Sequence, residues 1–306
     1  KSSLDDLEKI SPEIIRQILQ GLQDLHGGEM PILHRDLKPS NILQNAKGEW
    51  LLADFGISRF LPGGASTHLS DEKGTKHWRA VESYPAKGES NDSQVRYKKE
   101  SDIQVAGMVG FYIVTKGQYA FGEEADRLRN LMDGNPIGLE MLKDPTLKDL
   151  LSWMLSHEPK NRPAAPQALK HPYLQSKENQ FDMLCEVGNQ PEIKTMDINS
   201  NVVHQLNNDS ANWKTALPDS VLRYLRTNRS SGRLITYGHE WTECLRLMRN
   251  VKQHWNDRPI DREVLSEVGE PKDYFITHFP DLPVRVHQIV RSCDWKERTA
   301  LKEYFQ

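Results

Sequence analysis

The feature that most constrains this chain is the stretch HRDLKPSN, from His34 to Asn41, together with the tripeptide DFG, from Asp54 to Gly56. The DFG begins thirteen residues after Asn41. Short apolar runs and turn-forming residues surround both stretches, so residues 32–60 are predicted to form short strands and turns. Polar side chains in such turns are candidates for chemistry.

The residue types in these two stretches suit phosphoryl transfer. That reaction needs a carboxylate to orient the attacking hydroxyl and oxygen ligands to hold Mg²⁺ against the phosphates. Asp36 suits the first role, and Lys38 is close enough to steady the transferred phosphate. Asn41 and Asp54 carry hard oxygen ligands, which Mg²⁺ prefers. We therefore predict that Asp36 and Lys38 are catalytic and that Asn41 and Asp54 bind Mg²⁺ and nucleotide.

Length and composition leave room for more than one such site. The 306 residues suffice for one large domain or two ordinary ones. Hydrophobic residues make up 37% and charged residues 27%, so the chain can bury a core and is not a disordered tail. The net charge of −3, with the histidines neutral, argues against a globally basic nucleic-acid binder but leaves local patches open.

Three cysteines, Cys185, Cys244 and Cys293, lie far apart in the sequence. This odd, sparse count fits a reducing compartment and excludes a disulfide framework, and no His/Cys cluster has zinc spacing. There is no signal-peptide pattern and no long apolar run. The chain starts with Lys inside a recognisable element, so we expect a fragment whose upstream part is free to carry a targeting or membrane segment.

Helical periodicity dominates the chain outside residues 32–100. The SPE stretch from Ser11 to Glu13 predicts a helix start, and Gly27 and Gly28 predict its end. Residues 61–100 have little apolar periodicity and are interpreted as a long mobile loop. Helical patterns resume near Ser101.

After residue 175 the patterns are again helical, with joints expected at 189–191 and 207–211. Helices are predicted over 220–227, 241–255, 262–268 and 284–293. The fold class is therefore predicted as mainly α, with one domain over residues 1–174 and a second, all-helical domain over residues 175–306.

Further motifs extend the first constellation. GTKHWRAVE runs from Gly74 to Glu82, and SDIQVAG begins at Ser101. Together with HRDLKPSN and DFG, they resemble the C-terminal lobe of the eukaryotic protein kinases. The resemblance implies that Glu82 pairs with Arg162 and that Asp102 braces the catalytic loop. Val81 stands where the family has proline, which weakens the expectation of peptide-substrate docking.

The resemblance also has implications for activity. The Gly-rich loop, the strand lysine and its glutamate partner belong to the kinase N-lobe, which this chain lacks, so we expect no phosphorylation by the chain alone. Arg35 corresponds to an arginine that pairs with an activation-loop phosphate in the family. Several Ser and Thr residues are candidates to accept this phosphate, and the alternative for each is that it is merely an ordinary polar residue of the loop. The candidates are Ser66, Thr67, Ser70 and Thr75.

A local basic patch lies in the second predicted domain. Residues 221–258 contain eight Arg or Lys and only three acidic residues, Glu240, Glu243 and Asp257. The alternative is that these basic residues simply form a solvated helix face. The basic residues are Arg223, Arg226, Arg229, Arg233, Arg246, Arg249, Lys252 and Arg258.

The stretch ITYGHEWTECLRLMRNVKQHW, which ends at Trp255, carries residues suited to RNA cleavage. Its apolar residues, Leu245, Leu247, Met248 and Val251, are predicted to bury one side of a helix. Asn250 and His254 lie four apart and share a face, which Arg249 can reach. Attack by the RNA 2′-hydroxyl needs a base, an acid and a phosphate-binding cation, which Tyr237, His254 and Arg249 could supply. An exposed polar helix face remains the alternative.

The same stretch is similar to the kinase-extension nuclease family, which includes the inositol-requiring enzyme and ribonuclease L. EVGNQPEIKT and YFITHFPDLP resemble further signatures of this family. The resemblance implies that His254 is the general acid, Tyr237 the general base, and that Arg249 and Asn250 hold the scissile phosphate, with no metal. His239 departs from the expected form and complicates this acid and base assignment. Tyr274, Phe275 and Phe279 are predicted to be core.

The family implies a metal-independent endoribonuclease that leaves a 2′,3′-cyclic phosphate. It implies ATP or ADP with Mg²⁺ in the kinase pocket, and a homodimer or higher oligomer that completes the RNA site. A membrane segment or ankyrin repeats are expected upstream, depending on the branch. The expected location is the cytosol, or the cytosolic face of the endoplasmic reticulum for a sensor of the unfolded-protein response that acts in mRNA processing. The alternatives are a Ser/Thr kinase or pseudokinase with a helical docking module, or an inactive scaffold.

Overall fold

The computed structural model describes residues 4–62, 65–70, 74–85, 95–208, 212–227, 232–257 and 262–306. The chain divides into two compact units, Lys1–Leu174 and Gln175–Gln306. Helices dominate both units and the strands are few and short, which confirms the mainly α fold class.

Helices provide the framework of the first unit. In α1 (Leu4–His26), residues at helical spacing such as Ile15, Leu19 and Leu22 are at most 2% exposed, which explains why this segment is helical and packs on α2 (Lys99–Val114). The helices are α1 (Leu4–His26), α2 (Lys99–Val114), α3 (Glu124–Met132), α4 (Pro145–Met154) and α5 (Ala165–Leu169).

The first helix begins earlier than the sequence predicts. Helix α1 starts at Leu4, so the predicted start at Ser11 is wrong. Pro12 lies inside the helix, where proline removes one backbone donor but does not prevent the residues before it from being helical. Ser11 is buried, with its hydroxyl 3.4 Å from that of Tyr173. In this chain, therefore, the pair Ser11 and Pro12 lies in an interior turn of the helix and not at its start.

Three antiparallel pairs of short strands shape the polar turns of the first unit. Strand β1 (Ile32–Leu33) pairs with β4 (Arg59–Phe60), β2 (Ile42–Gln44) with β3 (Trp50–Leu52), and β5 (His68–Ser70) with β6 (Val95–Tyr97). The last pair lies within the predicted loop of residues 61–100 and corrects that interpretation, because three-residue strands paired across a long separation leave no periodicity to detect.

Helices are the regular elements of the second unit among its described residues, as predicted, apart from one isolated bridge between Thr227 and Leu234. Its helices are α6 (Lys177–Gly188), α7 (Pro191–Lys194), α8 (Asn201–Asn207), α9 (Asp219–Arg226), α10 (Trp241–His254), α11 (Arg262–Val268), α12 (Pro271–His278), α13 (Leu282–Arg291) and α14 (Lys302–Phe305).

Helix α10 packs closely against α6 in the core of this unit. Gly188 permits the close approach, because a Cβ there would collide with the carbonyl oxygen of Leu245. The predicted core residues Tyr274, Phe275 and Phe279 are each at most 5% exposed. Among the described residues, no helix has the length and apolar character needed to cross a membrane.

Candidate active sites

The turn that carries HRDLKPSN is fixed by a buried carboxylate, as predicted. Asp102 in α2 accepts hydrogen bonds from the backbone N–H groups of His34 at 2.9 Å and Arg35 at 3.0 Å. Nε2 of His26 lies 2.9 Å from the same carboxylate. These contacts hold Arg35 in the left-handed region, at φ 70°, and thereby set the direction of the turn.

Asp36 and Lys38 lie together at this turn. The Lys38 ammonium donates to one carboxylate oxygen of Asp36 at 2.7 Å, and the Thr75 hydroxyl donates to the other at 2.6 Å. Burial raises the pKa of the Asp36 carboxyl, but hydrogen bonds from Lys38, Thr75 and Asn41 and the Lys38 charge outweigh it, so the net pKa is lowered. Asp36 is thereby held ionised, as a group that orients a hydroxyl must be.

The oxygen donors of Asn41 and Asp54 fit a divalent cation. The Asn41 amide nitrogen donates to the Asp36 carbonyl at 2.8 Å, which leaves its amide oxygen for another partner. Asp54 is exposed and has φ 65°, with its carboxylate accepting from the Gly56 N–H at 3.3 Å. One amide and one carboxylate oxygen suit Mg²⁺, which completes its shell with phosphate and water oxygens.

Glu82 and Arg162 form the predicted ion pair. The Arg162 guanidinium donates to both carboxylate oxygens of Glu82, at 2.7 and 2.9 Å. Beside it, the Val81 N–H donates to Oε1 of Gln104 at 2.9 Å, a bond that proline at this position could not make. The departure from the family pattern at residue 81 therefore has a structural partner.

Arg35 is buried and covers the ring of Tyr97, with its guanidinium carbon 4.2 Å from the ring centroid. Its three guanidinium nitrogens have no hydrogen-bond partner among the described residues, which fits the predicted contact with an anion. Of the candidate acceptors, Ser66 is exposed, Thr67 is half-buried and the Ser70 side chain lies outside the described residues. The Thr75 hydroxyl is bonded to Asp36 and so is not free for modification in this conformation.

Helix α10 positions the second candidate site. The predicted apolar side is confirmed, with Leu245, Leu247 and Met248 fully buried and Val251 5% exposed. The side chain of Asn207 at the end of α8 accepts from the Thr242 N–H and donates to its hydroxyl, both at 3.1 Å. This contact fixes the first turn of α10.

Tyr237 and Asn250 meet directly. The Asn250 amide nitrogen donates to the Tyr237 phenol oxygen at 2.6 Å. Tyr237 is 1% exposed, and burial raises the pKa of its phenol despite the hydrogen bond from Asn250 and the charge of Arg246. Because the Tyr237 phenol is buried, an RNA hydroxyl cannot reach it in this conformation, and its raised pKa keeps it protonated. The hydrogen bond indicates that Tyr237 positions Asn250, against the expectation that Tyr237 is the general base.

Sequence reasoning missed two residues that hold Tyr237. Buried Glu243 accepts from the Gly238 N–H at 3.1 Å and from Arg246 at 2.8 Å. The Arg246 guanidinium lies over the Tyr237 ring, 4.9 Å from its centroid. Glu and Arg three apart on a helix were a readable signal for the ion pair. The contact of that pair with the preceding loop was not.

Arg249 and His254 occupy the remainder of the predicted site. Arg249 donates to the Gln253 amide oxygen at 3.0 Å, and its Nε has no partner among the described residues. His254 is the last residue of α10, half-exposed, with Nδ1 2.7 Å from a carboxylate oxygen of Asp257. His239 precedes the other end of this 14-residue helix, about 20 Å away, so it does not share a site with His254 within one chain.

The cations of the basic patch differ in their surroundings. Arg246 is paired with Glu243, and Lys252 with Asp182 at 2.7 Å. Arg223 and Arg233 are exposed, Arg226 donates to the Ile235 carbonyl, and Arg229 and Arg258 lie outside the described residues. The described cations therefore include both structural and solvent-facing groups.

Comparison with known proteins assigns a family to each of the two units. Residues 6–174 match the family model for the protein kinase domain, and residues 180–305 match the one for ribonuclease 2-5A. The chain belongs to the kinase-extension nuclease family. A protein kinase domain binds nucleotide and metal in general, which agrees with the oxygen donors of the first unit.

Relatives cover nearly the whole chain. A human serine/threonine-protein kinase/endoribonuclease IRE2 is 31% identical over 94% of this chain and 32% of its own length. The sensor for unfolded proteins in the ER ire1 of Schizosaccharomyces pombe is 27% identical over 96% of this chain and 30% of its own. An Arabidopsis thaliana protein named inactive serine/threonine-protein kinase/endoribonuclease IRE1-like is 26% identical, with 99% and 60% covered. The chain thus spans about a third of the first two relatives.

Proposed function

We propose that this protein is a metal-independent endoribonuclease whose reaction takes place on α10 of the second unit. The observation that supports this best is the Tyr237–Asn250 hydrogen bond, which joins two residues singled out from the sequence alone. Arg249 adjoins Asn250, and His254 follows one turn later on the same helix. The ribonuclease 2-5A match over residues 180–305 and the names of the relatives agree with this function.

In the proposed reaction the RNA 2′-oxygen attacks the adjacent phosphorus while the bond from phosphorus to the 5′-oxygen breaks. His254 gives its Nε2 proton to the leaving 5′-oxygen, and the 2′-hydroxyl loses its proton to solvent. Arg249 and Asn250 contact the phosphate oxygens, because a guanidinium and an amide N–H both donate to anionic oxygens. Tyr237 holds Asn250 in place. The product carries a 2′,3′-cyclic phosphate, and the need for a 2′-hydroxyl restricts the substrate to RNA.

The first unit is proposed to regulate this reaction. ATP or ADP would bind with Mg²⁺ held by Asn41 and Asp54, and Asp36 and Lys38 would serve phosphoryl transfer. Bound Mg²⁺ would neutralise phosphate charge. We propose that nucleotide favours a homodimer in which two nuclease units act together, because a ligand shifts a protein toward the state that binds it better. We also propose a role in the unfolded-protein response at the cytosolic face of the endoplasmic reticulum; the name of the fission yeast relative, a sensor for unfolded proteins in the ER, supports the link to unfolded proteins.

The test is cleavage of a labelled stem-loop RNA by the full-length protein, with EDTA present and the dimer verified by light scattering. We expect EDTA-resistant cleavage that leaves a cyclic phosphate and is lost in His254→Ala. His239→Ala is the matched control and should keep its activity, because His239 lies beyond the opposite end of α10.

Two outcomes would overturn the proposal. Absence of cleavage by a verified dimer, with and without nucleotide, would favour a kinase or pseudokinase whose second unit is a docking or dimerisation module. Equal cleavage by His254→Ala and wild type would remove His254 from the chemistry.

A further inference from the structure

A short bond joins the imidazole of His254 to a carboxylate that the reaction above does not use. Nδ1 of His254 lies 2.7 Å from Oδ2 of Asp257. The Asp257 N–H also donates to the His254 carbonyl at 3.3 Å, so two bonds close the turn that follows α10. Trp255, within this turn, is 8% exposed and anchors the turn in the core.

We propose that Asp257 is a positioning residue that fixes the ring orientation and tautomer of His254. This inference rests on the proposed nuclease function. The carboxylate accepts from Nδ1, so Nδ1 keeps its hydrogen when the ring is neutral, and Nε2 is the nitrogen that gains and loses a proton. The general acid therefore returns after each transfer to the tautomer that Asp257 favours, with no exchange of hydrogen between the two nitrogens.

The bond to Asp257 at Nδ1 also leaves Nε2 of His254 uncovered for proton transfer. Nδ1 adjoins the ring carbon that bears the side chain, whereas Nε2 lies at the far end of the ring. His254 and Asn250 lie one helical turn apart on the same face of α10. A bond at Nδ1 holds the ring without covering Nε2, which must reach the leaving oxygen.

The solvent exposure of His254 and Asp257 allows a positioning role to be distinguished from a structural one. The side chains of His254 and Asp257 are 57% and 51% exposed, and an exposed ion pair contributes little to folding. Loss of the Asp257 carboxylate should therefore leave the melting temperature unchanged. Its effect should appear in kcat, because the orientation of a proton donor matters in the transition state more than in RNA binding.

The experiment compares Asp257→Asn, Asp257→Glu and wild type in the full-length protein, with the dimer verified as above. We expect Asp257→Asn to lower kcat for stem-loop RNA cleavage by about tenfold or more, as loss of a partner that orients a functional His does, with KM and melting temperature unchanged. Asp257→Glu should restore most of the rate. Two-bond ¹H–¹⁵N NMR spectra of the imidazole should show an Nδ1–H tautomer in wild type and a mixture in Asp257→Asn.

Glu158→Gln serves as the matched control, because Glu158 is also an exposed acid beside a histidine, with 3.6 Å between the His157 nitrogen and the carboxylate. It should change neither rate nor tautomer. Wild-type kinetics and an unchanged tautomer in Asp257→Asn would overturn the inference while the nuclease stands. A parallel fall of melting temperature and kcat, not rescued by Glu, would assign Asp257 a structural role. Absence of cleavage by wild type would instead reject the proposed function, and the NMR spectra would still decide the tautomer.

Discussion

The amide nitrogen of Asn250 donates a 2.6 Å hydrogen bond to the phenol oxygen of Tyr237, thirteen residues earlier in the chain. This bond ties the loop before α10 to the turn of α10 that carries Arg249. Because Tyr237 is 1% exposed, its hydroxyl forms its hydrogen bond within the protein and is shielded from solvent. The contact therefore fixes the Asn250 side chain, and it agrees with the proposal that Tyr237 positions Asn250 and is not the general base.

Tyr237→Phe tests this distinction. We expect a fall in kcat of about tenfold, because Asn250 loses one hydrogen-bond partner, whereas loss of a general base costs about 10²- to 10⁴-fold. The measurement is single-turnover cleavage of the stem-loop RNA. Tyr274→Phe is the control, since the buried Tyr274 hydroxyl has no hydrogen-bond partner among the described residues and its removal should be neutral. A loss beyond a hundredfold, with unchanged KM, would restore Tyr237 as the base.

Glu243 should be required for the stability of the same region. Glu243→Ala leaves the Arg246 guanidinium without its carboxylate and the Gly238 N–H without its acceptor. Breaking a buried pair in this way costs about 3 kcal/mol, measured as the free energy of unfolding in urea. Glu267→Ala, on the exposed side of α11, should change it by about 0.5 kcal/mol or less. Equal effects of the two changes would show that the Glu243 contacts do not hold the loop.

The buried helix faces could be predicted from local repeats in the sequence, but contacts between residues far apart in the chain could not. Helical spacing was enough to place Leu245 and Met248 in the core, because a buried face recurs every three or four residues. The contacts of Arg246 with the Tyr237 ring and of Val81 with Gln104 depend on loop paths that no local pattern encodes. Likewise, burial of Tyr237 could not be inferred from its residue type, since tyrosine is common at both surfaces and cores.

Val81→Pro should destabilise the first unit, although proline is the residue expected there from the family. It removes the N–H that donates to Gln104 and leaves the buried Gln104 amide oxygen without that partner, which costs about 1–3 kcal/mol. Val81→Ala keeps the N–H and controls for lost side-chain packing. In a Gln104→Met background the cost of Val81→Pro should shrink, as a double-mutant cycle in urea would reveal. Additive effects would mean that the bond contributes nothing.

The pair of Glu192 and Arg298 should give the second unit a distinct dependence on pH. The Arg298 guanidinium donates to both carboxylate oxygens of Glu192, at 2.9 and 2.6 Å. These hydrogen bonds lower the pKa of Glu192 from 4.5, and burial, which raises it, does not offset them. A carboxyl whose folded pKa is depressed stabilises the protein fully above its unfolded pKa, and that contribution is lost as the pH falls through the folded value.

Glu192→Gln should therefore lower the urea midpoint at about pH 7, and the difference from wild type should shrink as the pH is lowered below about 4.5. Other carboxyls titrate in both proteins and cancel in this difference. In an Arg298→Gln background, Glu192→Gln should have little effect at either pH, because the guanidinium that lowers the pKa is gone. A difference that stays constant with pH in the wild-type background would mean that Glu192 acts through packing and not through its charge.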